Sequence, residues 1–350
     1  MHCNLKWLVL VMGEVSPAKV KVQKISQVAI AVHNLPLVVE NYWKILGIGP
    51  WNIYAWEYPL VSSRTYHGQP AWSREKICHA MVGDVEFELM QPVDGPSLYR
   101  DFLEEHGEGI HHLQFLVSDF DETTRILTKE YGFTSLQSGS CGRTEKGCRY
   151  NYVYFEPLGC IWEVVGCEEG IGGEPTSRYP DRAQDSPAKL KVKSINRVTI
   201  AVEDVARAAE SYWNVLGIGP WAMYEWEEPL IYDRKYHGKP AWGRERVAIA
   251  DVGGVQLELC QPVAGDSACR DYLEEHGQGL HHISFLVDDV DKASKILAQD
   301  GFLSLQSGRF GGRESGGAYN YIGIKPLRAI WGLAHYGERN LAVEPIFYPR

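Results

Sequence analysis

The sequence lacks the features of a membrane, secreted or nucleic-acid-binding protein. Its apolar stretch at residues 7–12 is far too short to span a bilayer, and we predict an extra edge strand or a frayed end there. No small-residue cleavage site follows, so a signal peptide is not indicated. Basic residues form no block, and the formal net charge is -10 at pH 7. This balance argues against nucleic acid or an anionic membrane as a partner.

Cysteine motifs are also missing. The eight cysteines include no CxxC pair and follow no regular spacing. We therefore predict free thiols in a reducing, cytoplasmic compartment, without a structural zinc or a disulfide framework. Hydrophobic residues make up 45% of the chain and charged residues 23%, an average globular composition. A chain of 350 residues is long enough for two or more domains with sizeable cores.

One unit of the sequence occurs twice. The segment YWKILGIGPW at Tyr42–Trp51 returns as YWNVLGIGPW at Tyr212–Trp221, and LEEHGEGIHHLQFLV at residues 103–117 returns as LEEHGQGLHHISFLV. The offset is 170 up to Tyr131 and 169 afterwards, because the second copy lacks one residue. Duplication predicts these segments: an extension (1–21), a first domain (22–168), a linker (169–191), a second domain (192–340) and a tail (341–350).

Each copy divides again into two modules. An alternating apolar strand at residues 25–32 ends at Asn34, a residue type that caps helices, and Pro36 follows in the first turn. Gly47 is predicted to end that helix. The second module repeats the order with a helix at about residues 119–131. The pattern predicts an α+β fold of four βαβββ modules, forming two curled mixed sheets with helices outside.

Strand periodicity places four polar side chains on one face of the first copy. In each of four strands the apolar residues alternate toward the helix, which leaves Gln27, Glu88, His112 and Glu163 on the opposite face. If the sheet curls, that face is the inside of a trough. These residue types suit a divalent ion of zinc, nickel, cobalt, manganese or iron. Each residue alone is more often solvated or structural, so the prediction depends on their coincidence.

At these residues the chain resembles the vicinal oxygen chelate superfamily, which includes glyoxalase I, methylmalonyl-CoA epimerase, extradiol dioxygenases and fosfomycin-resistance proteins. The resemblance covers residues 22–168 and 192–336, and LEEHG with GIHHLQFLV is especially similar to the epimerase branch. It implies two tandem domains and one divalent metal ion in the first domain. It also implies one ligand from the first and one from the last strand of each module: Gln27, Glu88, His112 (rather than His111) and Glu163.

The first ligand position narrows the implied reaction. Extradiol dioxygenases use two His and one Glu, and Gln27 departs from that set, whereas glyoxalase I and isomerase relatives accept Gln there. The resemblance implies an isomerase of the epimerase or racemase type, shifting a proton next to a metal-bound carbonyl. Glu163 and Glu88 are the implied catalytic residues, with Glu163 the preferred base; Glu57 and Glu75 are weaker candidates. The alternatives are a glyoxalase-I-like lyase, a ring-cleaving dioxygenase and a non-catalytic ligand-binding protein.

The second copy has a different residue set at the same positions: Arg197, Glu258, His282 and Gly332. A cation replaces the first ligand and the last carboxylate is missing, so this site is predicted to be degenerate. It is either a structural partner or a metal-free pocket in which Arg197 binds an anionic group. Only pairing of modules within each copy gives one complete ligand set.

Aromatic residues cluster in the segments predicted to rim the first trough. They are candidate substrate-binding residues, together with one histidine: Trp51, Tyr54, Trp56, Tyr66, His67, Trp72 and Tyr152. Most recur in the second copy, where no metal is expected, and this recurrence favours packing in the core or at the domain interface over substrate binding. We expect a small, conceivably aromatic, carbonyl substrate and no nucleic-acid or membrane partner; homo-oligomerisation stays open. No basic cluster suited to coenzyme A is evident.

Overall fold

Each copy folds around one large curled sheet. The computed structural model describes residues 15–142, 147–167, 173–311, 316–337 and 344–349. Each sheet has eleven strands in the same spatial order. The predicted fold class, a tandem duplication with two curled mixed sheets, is confirmed. Among the described residues, no helix is long and apolar enough to cross a membrane.

The described residues of the first domain form eleven strands and three α-helices. In chain order they are β1 (Gln27–Ala31), α1 (Leu35–Leu46), β2 (Trp51–Trp56), β3 (Val61–Tyr66), β4 (Gln69–Pro70), β5 (Arg74–Val82), β6 (Val85–Asp94), α2 (Leu98–His106), β7 (Gly109–Val117), α3 (Phe120–Arg125), β8 (Thr134–Cys141), β9 (Cys148–Tyr154), β10 (Ile161–Gly166) and β11 (Ser177–Tyr179). The spatial order is β11-β2-β5-β6-β1-β7-β10-β9-β8-β3-β4, so the two modules of one copy join where β1 pairs with β7.

The second domain repeats this arrangement. Its elements are β12 (Arg197–Ala201), α4 (Val205–Leu216), β13 (Trp221–Trp226), β14 (Ile231–Tyr236), β15 (Lys239–Pro240), β16 (Gly243–Val252), β17 (Val255–Gly265), α5 (Ala268–His276), β18 (Gly279–Leu286), α6 (Val290–Gln299), β19 (Leu303–Phe310), β20 (Gly317–Ile324), β21 (Ala329–His335) and β22 (Ile346–Tyr348). Here β12 pairs with β18, so the modules of this copy also pair with each other. The prediction of pairing within each copy is therefore confirmed.

The ends of α1 form as the sequence predicts. The Asn34 side chain accepts a hydrogen bond from the Leu37 amide at 3.2 Å, and Pro36 lies in the first turn. Gly47 closes the helix in the left-handed conformation at φ 67°, which costs an L-residue steric energy and glycine none. Asp204 and Gly217 cap α4 in the same way.

We expect Asn34→Ala to lower the free energy of unfolding by about 1 kcal/mol, because the first-turn amide loses its acceptor. Urea unfolding followed by circular dichroism measures this change. Asp204→Ala is the matched variant and should cost a similar amount, since its carboxylate accepts from two amides of α4. An unchanged midpoint in both variants would contradict the capping role.

The one-residue difference between the copies lies at the end of the third helix. In the first domain α3 continues into a π-helical turn at Ile126–Glu130. The corresponding helix α6 is α-helical throughout. A π-turn accommodates one extra residue within a helix. The change of offset from 170 to 169 near Tyr131 thus has a local structural cause.

The two domains share one hydrophobic core. Tyr42 of α1 donates a hydrogen bond to the Leu327 carbonyl at 2.8 Å and lies edge-on to Trp331 of β21. Tyr212 of α4 makes the reciprocal bond to the Leu158 carbonyl at 2.9 Å and lies edge-on to Trp162. These side chains belong to one continuous cluster that spans both copies. Each first helix therefore contacts both sheets.

The segment ahead of each domain's first strand forms a hydrogen bond with the other domain. The amide of Val22, ahead of β1, donates to the Leu216 carbonyl of α4 at 2.9 Å, and the amide of Val192, ahead of β12, donates to the Leu46 carbonyl of α1 at 2.9 Å. The predicted linker is not merely a connection, because β11 within it adds to the edge strand β2. β22 adds to β13 in the same way. The stretch at residues 7–12 lies outside the described residues.

The prediction of free thiols needs correction at two positions. Cys148 and Cys167 form a disulfide, with their Cα atoms 4.1 Å apart. The cause is strand register: β9 and β10 are antiparallel with Arg149 opposite Gly166, so the next residue on each strand also meets its partner. Among the described residues, five further cysteines are free and buried: Cys78, Cys141, Cys160, Cys260 and Cys269.

Candidate metal centre

Four neighbouring strands bring the predicted ligands together. β1 runs parallel to β6 and antiparallel to β7, and β7 runs parallel to β10. Alternation sends the apolar residues of these strands into the shared core. The opposite face of the first-domain sheet, which we call the trough, carries Gln27, Glu88, His112 and Glu163, each at most 6% exposed.

His112 lies at the centre of this group. Its Nε2 atom is 3.4 Å from Gln27 Oε1, 3.7 Å from Glu88 Oε2 and 3.5 Å from Glu163 Oε2. A metal bonded at about 2.0 to 2.2 Å holds adjacent ligand atoms roughly 3 to 3.5 Å apart. The four donors therefore need to move only slightly to reach one common ion.

These ligands are held by hydrogen bonds to one another and to neighbours. Within the described ranges, no three His, Cys, Asp or Glu side chains are already arranged as a metal site. One acceptor is left over, because the buried Glu88 Oε2 has no hydrogen-bond partner. A buried carboxylate oxygen without a partner is costly. The residue types, their spacing and this oxygen fit a divalent cation.

Two residues outside the predicted ligand set support it, of which Gln114 is on the predicted face and His79 was not predicted. His79 Nε2 lies 2.8 Å from Glu88 Oε1. Gln114 Nε2 donates to Gln27 Oε1 at 2.9 Å and to Glu163 Oε2 at 2.7 Å. Strand alternation could have found His79, because in β5 it shares the face of Ile77 while Cys78 and Ala80 enter the core.

These partners orient the predicted ligands. Gln27 Nε2 donates to Glu86 Oε1 at 2.7 Å, so its amide oxygen points toward His112. The Nδ1 atom of His112 lies 2.9 Å from Nδ1 of His111, and the Nε2 atom of His112 therefore faces the other three predicted ligands. Outer partners of this kind fix the tautomer and direction of a ligating imidazole.

Burial and charge set the protonation of the centre. Burial raises the pKa of the Glu88 carboxyl, and the hydrogen bond from His79 counteracts that rise. Burial lowers the pKa of His79, but the bond to Glu88 and the acidic charges nearby raise it to about 9. Burial, followed by the charge of His112, lowers the pKa of His111 well below its usual value. His79 is therefore the cationic partner of Glu88, and His111 is neutral.

Some of the predicted substrate-binding aromatics line the trough. Tyr152 places its ring 4.9 Å from that of His112, and its hydroxyl lies 2.6 Å from that of Tyr99. Burial raises the pKa of both phenols well above the usual value, so both stay protonated. Tyr54 lies 5.6 Å from His79, and Trp56 packs in the same cluster.

The prediction for Trp51 is wrong. Trp51 is fully buried in the shared core beside Tyr42 and Phe87, on the face away from the trough. The reason is strand alternation in β2: Trp51 and Ile53 face the core, whereas Tyr54 and Trp56 face the opposite way.

The remaining candidates lie at the edge or in the scaffold. Tyr66 donates to Asp101 at 2.7 Å, and the half-exposed His67 lies 3.7 Å from the same carboxylate. Trp72 is 55% exposed. Two weaker base candidates are occupied elsewhere. The buried Glu75 is held by Arg64 and Ser73, while the partly buried Glu57 lies 3.8 Å from Arg74.

An internal ion pair takes the place of the centre in the second domain. Arg197 Nη1 is 2.5 Å from Glu258 Oε2. The other guanidinium donors reach Gln256 Oε1 at 2.6 Å and Tyr336 OH at 2.7 Å. His282 Nε2 lies 3.2 Å from Thr199 Oγ1, which also donates to Glu258. The groups that would face a metal are thus satisfied by one another.

The missing carboxylate of this domain leaves no vacant space. A Cβ atom at Gly332 would lie 2.2 Å from Ser284 Oγ and 3.1 Å from His282 Cδ2. In the first domain Glu163 and Gln114 occupy the two corresponding positions. The copies therefore differ in their chemistry, although their strand orders are the same.

Comparison with known proteins agrees with this architecture. The model of the Glyoxalase/Bleomycin resistance protein/Dioxygenase superfamily matches residues 26–152 and again residues 196–321. Because these two stretches cover most of the chain, the chain belongs to this superfamily. Both matches fall on the duplicated domains, one per copy.

Individual relatives are more distant. The chain is 32% identical over 104 residues to the uncharacterised protein YqjC of Bacillus subtilis, covering 30% of this chain and 64% of YqjC. It is 28% identical over 134 residues to mouse mitochondrial methylmalonyl-CoA epimerase, covering 38% of this chain and 67% of the epimerase. The chain thus spans about two thirds of the length of these relatives.

A solved structure has the same two-domain fold. A mutant of 4-hydroxymandelate synthase from Streptomyces coelicolor superimposes with a TM-score of 0.61, covering 93% of this chain and 95% of that one. The sequence identity is 14%, so this likeness concerns the fold alone.

Proposed function

We propose that the chain is a metal-dependent isomerase of the epimerase or racemase type, acting on a small carbonyl compound in the first domain. The observation that carries the proposal is the convergence of Gln27, Glu88 and Glu163 on His112, with distances of 3.4 to 3.7 Å. The second domain has no equivalent set. Similarity to methylmalonyl-CoA epimerase supports this reaction class.

Gln27, Glu88, His112 and Glu163 would hold the divalent ion. When bound, such an ion acts as a Lewis acid on a substrate carbonyl and makes the neighbouring C–H group more acidic. The mixed oxygen and nitrogen donors suit zinc, nickel, cobalt, manganese and iron alike.

Glu163 is the proposed base that removes and returns the proton. Its Oε2 atom accepts from Gln114 Nε2 at 2.7 Å, which aims the carboxylate into the trough. Glu88 is less suited to this role because the cationic His79, 2.8 Å from its Oε1 atom, stabilises the carboxylate against protonation, whereas the partner of Glu163 is a neutral amide. A carboxylate with one oriented oxygen is a suitable general base.

The trough walls complete the proposed site. Tyr152 is buried next to His112, and its hydroxyl forms a pair with that of Tyr99. One of the two hydroxyls donates a hydrogen bond to the other, and both stay protonated because burial raises the pKa of each. Tyr54 and Trp56 supply an aromatic surface suited to a flat or apolar substrate.

A matched pair of variants tests the proposal. We expect one metal ion per chain by elemental analysis, lost in His112→Asn and retained in His282→Asn, the corresponding change in the second domain. The variants should retain the fold, as checked by circular dichroism. Two ions per chain, none, or loss in the second-domain variant would overturn the assignment.

The reaction is tested by proton exchange in heavy water. Methylmalonyl-CoA and a panel of 2-substituted ketones and hydroxyketones serve as probes, followed by NMR. Deuterium should enter next to the carbonyl of at least one probe, and a chelator should abolish the exchange. Exchange that survives metal removal, or exchange with none of the probes, would contradict the proposal.

A further inference from the structure

A cavity of about 400 Å³ lies between the domains, and none of the four predicted metal ligands lines it. The first domain contributes α2 and the start of β7, and the second contributes α5 and the residues between β20 and β21. Phe102, Ile110, Leu280 and Ile330 provide apolar walls. This volume is in the range of small-molecule sites.

The lining of this cavity differs from the corresponding residues of the first copy. Gly323 and Ala329 line it, whereas the first copy has Tyr154 and Cys160 at those positions. Both replacements remove side-chain atoms. The second copy therefore leaves a space at the position where the first copy carries a phenol ring.

Two further differences make the same stretch positive. Lys325 and Arg328 line the cavity, and the first copy has Glu156 and Gly159 in their places. Among the described lining residues, Glu108 is the acidic one, and it lies 3.0 Å from Arg328 Nη1. The protein as a whole carries a formal charge of -10, so a cationic lining is a local departure.

Arg328 is held in an unfavourable backbone conformation. Its φ is 58°, the left-handed region, where Gly159 has φ 70° in the first copy. A non-glycine residue there is strained, and such strain tends to occur where a side chain has a role. The Arg328 Nε atom is buried without a hydrogen-bond partner. One edge of the guanidinium is thus paired with Glu108, while Nε still lacks an acceptor.

A histidine adds a second unpartnered donor or acceptor. His281 lines the cavity and is 2% exposed, and its Nε2 atom has no hydrogen-bond partner. Its other ring nitrogen lies 2.8 Å from Nδ1 of His282. The corresponding His111 Nε2 is also unpartnered, so the argument depends on Lys325, Arg328 and the open space rather than on this ring.

We propose that this cavity is a second binding site, for a small organic anion whose carboxylate or phosphate meets Arg328 and Lys325 and whose apolar body contacts Phe102 and Leu280. Charged hydrogen bonds to a guanidinium orient such groups strongly. The site is separate from the proposed metal centre and does not depend on the proposed reaction.

Binding of small aromatic anions to the wild-type protein is the first test of the site. Calorimetric titration of the full-length protein uses benzoate and phenyl phosphate as anions and benzamide as the neutral match. We expect saturable binding of at least one anion and at least about tenfold weaker binding of benzamide. The better of the two anions identifies which oxyanion the site prefers.

Three variants, each of which introduces the residue that the first copy has at the same position, distinguish this cavity from the trough. Gly323→Tyr should abolish anion binding by filling the space, and Arg328→Gly and Lys325→Glu should each weaken it at least about tenfold. Metal content should be unchanged in all three, and melting temperatures check the fold, because Arg328→Gly relieves backbone strain but also removes the ion pair with Glu108. Undetectable binding of both anions to the wild type, or binding unaffected by Gly323→Tyr, would overturn the proposal.

Discussion

Glu163→Gln should lower metal affinity sharply and reduce solvent exchange by about 10² to 10⁴-fold, the usual contribution of a general base. The substitution preserves the size of the side chain, and the new amide oxygen can still accept from Gln114, which lies 2.7 Å from Glu163. What is lost is the negative charge and the proton acceptor. Chelator competition measures the affinity, and NMR measures exchange with a probe that the wild type accepts.

Glu225→Gln is the control for this variant. Glu225 is an exposed glutamate of β13 that pairs with Arg246 at 2.6 Å, so its loss should change neither metal content nor exchange. Metal affinity equal to the wild type in Glu163→Gln would remove this residue from the ligand set. Normal exchange with reduced affinity would keep it as a ligand and exclude it as the base.

Strand alternation accounts for most of what could be predicted about the centre. The period of two fixes which side chains share a face, and the four chosen residues share one because β1, β6, β7 and β10 are neighbours in one sheet. Duplication added information that a single domain would not provide. The second copy differs at two of the four ligand positions, which restricts the predicted centre to the first domain.

The same rule holds in strands without a predicted ligand. In β5 it places His79 on the face of Glu88, and in β2 it separates Trp51, which faces the core, from Tyr54. Alternation in these two strands is therefore as informative as in the four that carry the predicted ligands.

Other features depend on tertiary contacts that no local pattern specifies. An apolar stripe predicts that α1 packs on a sheet, but not that Tyr42 also contacts Trp331 of the other domain. The disulfide between Cys148 and Cys167 requires the register of two antiparallel strands, and spacing along the chain does not reveal it. The hydrogen bonds between the domains around residues 22 and 192 likewise depend on how the domains meet.

Arg197→Met should lower the free energy of unfolding by about 3 to 5 kcal/mol, because it leaves Glu258 buried and without its cation. Glu258 is 1% exposed, and burial already raises its pKa despite the charge of Arg197. Without Arg197 the carboxylate either stays charged at a high cost or takes up a proton. Urea unfolding near pH 7 in the presence of a chelator measures the loss.

Gln27→Met is the matched change in the first domain and should cost only about 1 to 2 kcal/mol, since it removes hydrogen bonds, one of them to the partly exposed carboxylate of Glu86, but no buried cation. The double variant Arg197→Met with Glu258→Leu should recover most of the stability, because replacing a whole buried ion pair by apolar residues is often neutral or favourable. If Arg197→Met lowered the free energy of unfolding no more than Gln27→Met, the ion pair would not be what stabilises this face of the second-domain sheet. Full recovery in the double variant, with metal content unchanged, would support the view that the pair replaces the centre structurally and takes no part in the first domain's chemistry.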